Sequence, residues 1–338
     1  MKRLLKNKKI LIVSLAIAFV LFENLMLMIR YSRLSSGSAY DFGVSFSQVQ
    51  AERYGSNWKE NYLAILDDLQ FKKLRIPAYW DRLEPQKGQY DFSETDWMID
   101  EAKKRNAKVT LVVGQKSIRY PECFYPAWLD RNDTQEVATN ANAMIAAVAK
   151  RYKDNPTVAS WQLENEFLLK TFGQCPSQNL TNKALAKELE TLRSVDSSRP
   201  IVLTQSDQFG FPIFGPLSDT TGFSMYRTVW NNKLGYFRYP QSGHFFWWKA
   251  AIMNLLYGQK VKVHELQAEA WGPNGNEYIS HDESQKSMDP KKFMENIEYA
   301  KQTRIKDVDL WGAEWWYHQK HTGNPQMWNA VREFVAKG

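Results

Sequence analysis

Short apolar runs alternate with amphipathic segments along residues 40–338, and this alternation limits the possible folds more than any other feature. Eight runs have the length of β-strands, and apolar residues recur at helical spacing in most segments between them. Alternating strands and helices are typical of a parallel sheet. Eight repeats in about 300 residues favour a closed (β/α)8 TIM barrel over an open doubly wound sheet. No glycine-rich dinucleotide fingerprint follows the first strand, so the chain is predicted to be an α/β barrel protein.

The boundaries of these elements follow from where each apolar pattern begins and stops. Strands are predicted at 42–46, 73–78, 108–114, 157–163, 200–204, 222–226, 261–266 and 308–313. Helices are predicted at 58–70, 94–105, 136–152, 182–195, 245–257, 290–303 and 324–335. Residues 206–219 are rich in Gly, Pro and Phe and show no clear helix. The helix at 245–257 is unusually apolar, which favours burial against the barrel over a surface that rests on a membrane or a partner.

The N-terminus has the pattern of a membrane anchor. Five Lys or Arg residues within 1–9 precede an apolar stretch at 10–29, which is interrupted by Glu23 and Asn24. About 20 apolar helical residues are enough to cross a bilayer, and the basic flank is expected to stay in the cytoplasm. We therefore predict a cytoplasmic segment at 1–9, a single transmembrane helix at 10–29, a flexible linker at 30–39 and an exported barrel at 40–338. A cleaved signal peptide is the alternative, and it also predicts export.

The net charge of +7 belongs mostly to this N-terminal region. Residues 1–33 contain seven Lys or Arg and one acidic residue, which leaves the remaining 305 residues near neutrality. A nearly neutral domain lacks the basic surface of a nucleic-acid-binding protein, so no nucleic-acid partner is expected. His318 and His321 have no acid or cysteine at ligand spacing, and no phosphate-binding or redox motif occurs. Neither a metal nor a cofactor is expected.

Cys123 and Cys175 are the two cysteines of the chain. An exported domain lies in an oxidising compartment, where the two thiols could form a disulfide. Two unrelated thiols are an equally open interpretation.

Acidic residues stand at the ends of two predicted strands. The fourth strand runs into Asn165 and Glu166, and the seventh runs into Glu265. With a period of two, Glu265 shares one strand face with Val261 and Val263, and that face is expected to point into the barrel. Functional residues of such barrels lie at the carboxyl ends of the strands. Two carboxyls meeting there form the acid and nucleophile pair that cleavage of a glycosidic bond requires.

Several motifs resemble those of glycoside hydrolase clan A, with the family 42 β-galactosidases and some family 5 members the most similar. The motifs are the second-strand segment 74–92, the Pro-Ala-Trp-Leu sequence at 126–129 and the segment 155–167 that ends in Asn165 and Glu166. The resemblance covers residues 40–170 well and the remainder at strand ends. It implies a TIM barrel that acts on a carbohydrate.

The resemblance also implies roles for individual residues. Glu166 corresponds to the general acid/base and Asn165 to the neighbour that hydrogen-bonds the sugar 2-hydroxyl. The nucleophile corresponds to the acid after the seventh strand, for which Glu265 fits better than Glu269. Glu269 is then expected to bind sugar hydroxyls.

Arg75 and Tyr226 are the expected hydrogen-bond donors to the nucleophile, although a structural ion pair or simple packing is open for each. The chain has 13 Trp, and flat aromatic rings cover the apolar faces of sugars. The clan places a Trp at the end of the eighth strand, which makes Trp315 or Trp316 the candidate, and core filling is expected for one of them. Trp80 and Trp128 follow the second and third strands, and Trp230 and Trp271 follow the sixth and seventh. All four are expected on the same face of the barrel, where Trp80 and Trp128 are expected to bind substrate and several tryptophans in one cleft would suit an oligosaccharide.

These residues predict a retaining β-glycosidase that hydrolyses a β-linked oligo- or polysaccharide by double displacement. Two alternatives use the same cleft. One is a transglycosylase that remodels envelope glycans, and the other is a surface carbohydrate-binding protein without turnover.

Overall fold

Eight parallel strands form a closed barrel in the computed structural model, which describes residues 2–170, 173–205, 217–273 and 279–337. The barrel order is β1-β10-β9-β6-β5-β4-β3-β2, and β7 and β8 form a separate antiparallel hairpin. The strands are β1 (Asp41–Ser45), β2 (Lys73–Pro77), β3 (Lys108–Val113), β4 (Val158–Leu163), β5 (Ile201–Gln205), β6 (Thr220–Met225), β7 (Thr228–Asn231), β8 (Gly235–Arg238), β9 (Lys260–Gln267) and β10 (Asp307–Trp311). The predicted TIM barrel is confirmed, and each predicted strand lies within two residues of an observed one.

Helices cover the outside of the barrel, and their starts follow from capping residues. The Asp133 side chain accepts hydrogen bonds from two N–H groups of α6, and Asp289 caps α10 ahead of Pro290. The helices are α1 (Lys2–Ser35), α2 (Gln48–Arg53), α3 (Trp58–Asp67), α4 (Trp80–Leu83), α5 (Ser93–Lys104), α6 (Thr134–Tyr152), α7 (Asn182–Val195), α8 (Gly243–Tyr257), α9 (His281–Ser284), α10 (Pro290–Gln302), α11 (Ala313–His321) and α12 (Gln326–Ala336).

Several elements escaped prediction, namely the short helices α2, α4 and α9, helix α11 and the β7–β8 hairpin. Helix α11 follows β10 after a single residue, and its mostly aromatic and polar sequence has no helical period of apolar residues. The β7–β8 hairpin lies between β6 and α8, where only a loop was expected. The segment 206–216, which showed no clear helix, lies outside the described residues.

The barrel has an apolar outer face and a charged interior. Leu74 and Ile76 of β2 are fully buried in the apolar core, whereas the alternate residues Lys73 and Arg75 reach acidic groups of other strands. The Lys73 Nζ lies 2.6 Å from a carboxylate oxygen of Asp307. The inward-facing residues of β2 are therefore charged rather than branched and apolar.

Helix α1 continues to Ser35 without a break and packs against the barrel at its C-terminal end. The predicted linker at 30–39 is corrected, because residues 30–35 are helical and a turn follows only at 36–37. Among the described residues, one helical stretch, Lys8–Ser35, is long and apolar enough to cross a membrane. A signal sequence would meet the same criterion.

Cys123 and Cys175 form a disulfide that closes a loop of 52 residues, which decides between the two interpretations of the cysteines. Replacing both by alanine is expected to lower the free energy of unfolding by about 4 kcal/mol, since the unfolded chain gains the entropy of an open loop of this length. Urea unfolding of the purified protein measures the loss. Unmodified protein treated with reductant should unfold at the same urea concentration as the variant. A loss below about 1 kcal/mol would contradict this entropic role.

Candidate active site

Two glutamates meet at the mouth of the barrel. Glu166 follows β4 and Glu265 lies near the end of β9, on strands separated by β5 and β6. One side-chain oxygen from each carboxylate and one ring nitrogen of His264 all lie within 4.8 Å of one another. All three side chains are buried. Two carboxyl groups this close can act together on one bond.

A bulge in β9 turns Glu265 toward this mouth. Lys262 and His264 face the barrel interior, where they reach Asp309 and Glu166, so the intervening Val263 lies on the outer face. The pairing of β9 with both neighbouring strands shifts by one residue at this point. The extra residue allows Glu265 to follow His264 directly and still reach the interior. The position of Glu265 at the mouth was expected, but the shared inward face with Val261 and Val263 was wrong.

Arg75 connects the site across the barrel interior. Its guanidinium donates hydrogen bonds to Gln162 Oε1 (2.6 Å), Asn165 Oδ1 (2.6 Å), Glu265 Oε1 (3.1 Å), Ser45 Oγ (3.1 Å) and the carbonyl oxygen of His264 (3.3 Å). The side chain is fully buried. Because Asn165 receives this bond on its amide oxygen, its NH2 group is turned away from Arg75. One buried cation thus orients both the asparagine and the Glu265 carboxylate.

Replacing Arg75 with methionine is expected to lower the free energy of unfolding by about 3–5 kcal/mol, because the substitution leaves the buried Glu265 carboxylate without its cation. Chemical denaturation measures the change. Arg75→Lys should recover part of the loss, since lysine keeps the charge but not the five-donor fork. Arg332→Met is the matched control, because Arg332 is half exposed. Equal stability of the two methionine variants would contradict the role of Arg75.

Tyr226 binds the other oxygen of Glu265. Its hydroxyl donates to Glu265 Oε2 at 2.8 Å, and its ring makes a T-shaped contact with Trp271 at 5.0 Å between centroids. Burial and the neighbouring carboxylates raise the pKa of Tyr226 well above its usual value, so the phenol remains a donor. Both oxygens of Glu265 therefore accept a hydrogen bond, which stabilises negative charge on this carboxylate.

Glu166 has different neighbours. The Ser224 hydroxyl donates to Glu166 Oε1, and the Glu166 backbone N–H donates to Thr204 Oγ1 at 2.8 Å. His264 Nε2 lies 3.6 Å from an oxygen of Glu166 and 3.6 Å from an oxygen of Glu265. Burial lowers the pKa of His264 to about 3, so the imidazole is neutral and adds no charge between the two carboxyls. Prediction missed Ser224 and His264, although His264 directly precedes Glu265 in sequence.

A buried framework holds the backbone around Glu166. Glu164 and Glu166 both have φ in the left-handed region, at 60° and 47°. The Glu164 carboxylate accepts hydrogen bonds from the backbone N–H groups of Gln115 and Lys116, each at 2.7 Å. The Lys116 ammonium donates to the carbonyl oxygen of Glu166 at 2.9 Å. Hydrogen bonds from the loop after β3 therefore stabilise the strained backbone at the end of β4. The sequence patterns did not predict these hydrogen bonds.

Glu269 follows the end of β9 and lies in a second cluster of charges. Its carboxylate accepts hydrogen bonds from Arg119 (2.6 Å) and from the indole N–H of Trp311 (2.9 Å), and Arg119 also pairs with Glu314. Burial raises the pKa of Glu269 even though Arg119 opposes the shift. Glu265 and Glu269 are about equally buried, at 3% and 2% exposed, so exposure does not separate the two candidate nucleophiles. Glu265 is the one whose carboxylate lies close to that of Glu166.

Trp311 takes the place expected of Trp315 or Trp316 at the end of the eighth strand. Trp315 and Trp316 lie in α11 and are almost fully buried in the apolar core, where the Trp316 indole donates to the carbonyl of Ala268. The expectation that either contacts substrate is corrected for this reason. Trp311 ends β10, and its ring centroid lies 5.8 Å from the guanidinium carbon of Arg75.

Trp80 and Trp128 pack together on one flank of the barrel, and both bind Glu84. The Trp80 indole donates to the Glu84 carboxylate (2.7 Å), and that of Trp128 donates to the Glu84 carbonyl (2.8 Å). Trp80 is 1% exposed, so the expected substrate contact is corrected for this residue too. Trp128, Trp230 and Trp271 keep part of their surface exposed.

Glu166, His264 and Glu265 also satisfy the distances of a metal site, the one such group within the described ranges. Oxygens of both carboxylates already accept hydrogen bonds from Ser224 and Arg75. The adjacent guanidinium would repel a divalent cation. The donor set fits a pair of reacting carboxyls better than a metal centre.

A TIM barrel with a buried pair of carboxyls at the carboxyl ends of its strands is the architecture of clan A glycoside hydrolases. Comparison with known families agrees with this class. The chain belongs to the cellulase family, glycosyl hydrolase family 5, whose family model matches residues 38–308. The chain is therefore a glycoside hydrolase.

Individual relatives are distant. The chain is 23% identical to the β-galactosidase BgaA of Clostridium cellulovorans over 44% of its own length and 26% of that enzyme's length. Its fold is similar to that of xylanase 10B from Thermotoga petrophila in complex with xylobiose (TM-score 0.59, 14% identity, covering 91% and 96% of the two chains). It is also similar to that of a GH5_18 protein from Streptomyces cattleya in complex with GlcNAc (TM-score 0.55, 13% identity, covering 81% and 70%).

Proposed function

We propose that this protein is a retaining β-glycosidase that acts by double displacement, with Glu265 as nucleophile and Glu166 as general acid/base. The observation that carries the proposal is the approach of the two carboxylates to within 4.8 Å. Retaining enzymes need carboxyl groups about 5–5.5 Å apart, whereas inverting enzymes need room for a water between them.

In the first step, Glu166 donates its proton to the leaving oxygen while Glu265 attacks the anomeric carbon and forms a glycosyl ester. The bonds from Arg75 and Tyr226 hold both oxygens of Glu265 in position for the attack. Asn165, held by Arg75, presents its NH2 group to the sugar 2-hydroxyl. In the second step, Glu166 takes a proton from water, and the water displaces Glu265 from the sugar.

The substrate we propose is a β-linked oligo- or polysaccharide. Trp311 lies beside Arg75, and Trp271 packs on Tyr226, so each of these indoles lies against a residue that binds Glu265. Aromatic rings at this position would cover the apolar faces of sugar units.

We further propose that α1 crosses a membrane once and that the barrel lies on the extracytoplasmic side. The basic N-terminal flank supports this orientation. The Cys123–Cys175 disulfide fits the oxidising environment outside the cytoplasm.

A panel of aryl β-glycosides and natural β-glycans tests the activity, followed by trapping with a 2-fluoro sugar and mass spectrometry. We expect hydrolysis with net retention at the anomeric carbon and a covalent label on Glu265. Product analysis with an added acceptor sugar separates hydrolysis from transglycosylation. An inverted product, or a label on Glu269, would overturn the assigned roles. The absence of turnover on the whole panel would favour the carbohydrate-binding alternative.

A further inference from the structure

Helix α1 is joined to the barrel by specific contacts rather than by a free tether. The Trp248 indole donates to Asn24 Oδ1 (2.5 Å), and the Trp247 indole donates to the carbonyl of Met28 (3.2 Å). Tyr31, one turn further along, is buried. Residues 8–23 are exposed throughout, so contact with the barrel begins at Asn24.

The length of the apolar stretch places this junction at the level of the bilayer. About 20 helical residues are needed to cross a hydrocarbon core of about 30 Å. The apolar stretch is 10–29, but residues 24–29 lie beside the barrel. The part that stands free, 10–23, is only about 21 Å long at 1.5 Å per residue. Helix α1 can therefore cross the hydrocarbon core only if the junction between α1 and α8 also lies in the apolar layer or at its interface with the headgroups.

Helix α8 has a surface suited to that position. Leu256 is 63% exposed and Tyr257 is 41% exposed, whereas Lys249, the one Lys, Arg, Asp or Glu of this helix, is buried. Trp247 and Trp248 are half-buried at its first turns. Tryptophan and tyrosine concentrate at membrane interfaces, where one part of the ring is apolar and the other is wet.

The junction lies at the amino-terminal end of the barrel strands. The guanidinium of Arg304, three residues before β10, is 5.9 Å from the ring centroid of Trp247. Lys306 lies over the ring of Tyr40, which directly precedes β1. Arg30 and Arg33 on α1 are exposed. Basic side chains around an apolar junction suit the phosphates of lipid headgroups.

We propose that α8 and residues 24–33 of α1 form one membrane-contact surface, which rests in the phospholipid interface of the leaflet on the barrel's side. This inference depends on the proposed membrane span. The barrel then stands on the lipid with the amino-terminal ends of its strands nearest the bilayer. The mouth lies at the other end of the strands, about 20 Å further out for tilted strands of this length. The accessible substrate is a glycan that extends away from the surface.

Site-directed fluorescence on the full chain tests the proposal. Leu256→Cys carries an environment-sensitive dye, because the native cysteines are paired and do not react. The matched control is Leu234→Cys, a 70% exposed leucine in the turn of the β7–β8 hairpin, which follows the carboxyl end of β6. Both variants are reconstituted in vesicles of phosphatidylcholine and phosphatidylglycerol at about 3:1. We expect nitroxide lipids to quench the dye at position 256 at least about twofold more than at 234, and iodide to do the reverse.

Equal quenching by iodide at both positions would overturn the proposal, because it would place α8 in water. Protection of position 256 from both quenchers would also overturn it, since a second copy of the chain would then cover the helix. Release of the protein by alkaline carbonate would reject the membrane span and this surface with it. Glycoside hydrolysis is assayed on the same vesicles, so a failure of the proposed activity is detected separately from a failure of the membrane contact.

Discussion

Replacing Glu265 with glycine is expected to lower kcat for aryl β-glycoside hydrolysis by about 10⁴-fold or more, because it removes the carboxylate that pairs with Glu166 at the mouth. Arg75 and Tyr226 would lose their shared acceptor but remain in place, which leaves a small vacant space between them. Steady-state kinetics on the best substrate of the panel measures the loss. Circular dichroism checks that the variant is folded.

The vacated space also allows a positive test of the role. Azide added to Glu265→Gly should restore part of the activity, because this small nucleophile can attack from the face that the carboxylate occupied. The product should be the α-glycosyl azide, which nuclear magnetic resonance identifies. Glu269→Gly is the matched comparison variant, since Glu269 is already bound by Arg119 and Trp311. A larger loss in Glu269→Gly, with azide rescue there instead, would make Glu269 the nucleophile.

The strands of the barrel were predictable because apolar residues recur along them in short, simple runs. In β2, buried apolar residues alternate with Lys73 and Arg75, and the same parallel pairing repeats around the barrel. Helix α11 was not predictable on this basis, since its buried residues include the polar Glu314 and Gln319, so its apolar residues show no helical period. The β7–β8 hairpin is a local insertion that the repeat does not require.

The two glutamates could be located because both lie at strand ends, a position that topology dictates. The partners Arg75 and Tyr226 followed from the same reasoning. His264 and the orientation of Glu265 depend on a bulge, which is a change in pairing register and leaves no clear mark on a single sequence. The choice between Trp311 and its neighbours depended on where β10 ends, and strand ends are the least certain part of such a prediction.

The structure of the N-terminal region was also only partly predictable from the sequence. The apolar stretch and its basic flank were visible in the sequence, but residues 30–35 looked like a linker because their own composition gives no sign of a partner. Residues 30–35 continue a helix that is held to the barrel one or two turns earlier. There, Trp247 and Trp248, more than 200 residues away in sequence, bind Met28 and Asn24. Tertiary contacts of this kind override local preference.

Replacing Glu166 with glutamine is expected to lower kcat/KM by about 10²–10⁴-fold for β-glycosides with a poor leaving group, because an amide cannot donate the required proton. Glutamine keeps the shape of the side chain and can still accept the hydrogen bond from Ser224. With an activated nitrophenol as leaving group, the first step needs little protonation, so kcat/KM should fall far less. The second step still lacks its base, so the glycosyl enzyme should accumulate. Stopped-flow detection of the phenol should then show a burst followed by slow turnover, and KM should fall.

This contrast between leaving groups separates a catalytic role of Glu166 from a structural one. A variant that is merely misfolded loses activity on both substrates by the same factor, and such a uniform loss would contradict the acid/base assignment. Unchanged hydrolysis of both substrates would contradict it as well. Glu190→Gln is the matched control, because Glu190 lies on α7 with 70% of its side chain exposed and should behave as the unmodified enzyme. A burst in Glu166→Gln alone, with the labelled peptide containing Glu265, would establish the two roles in one experiment.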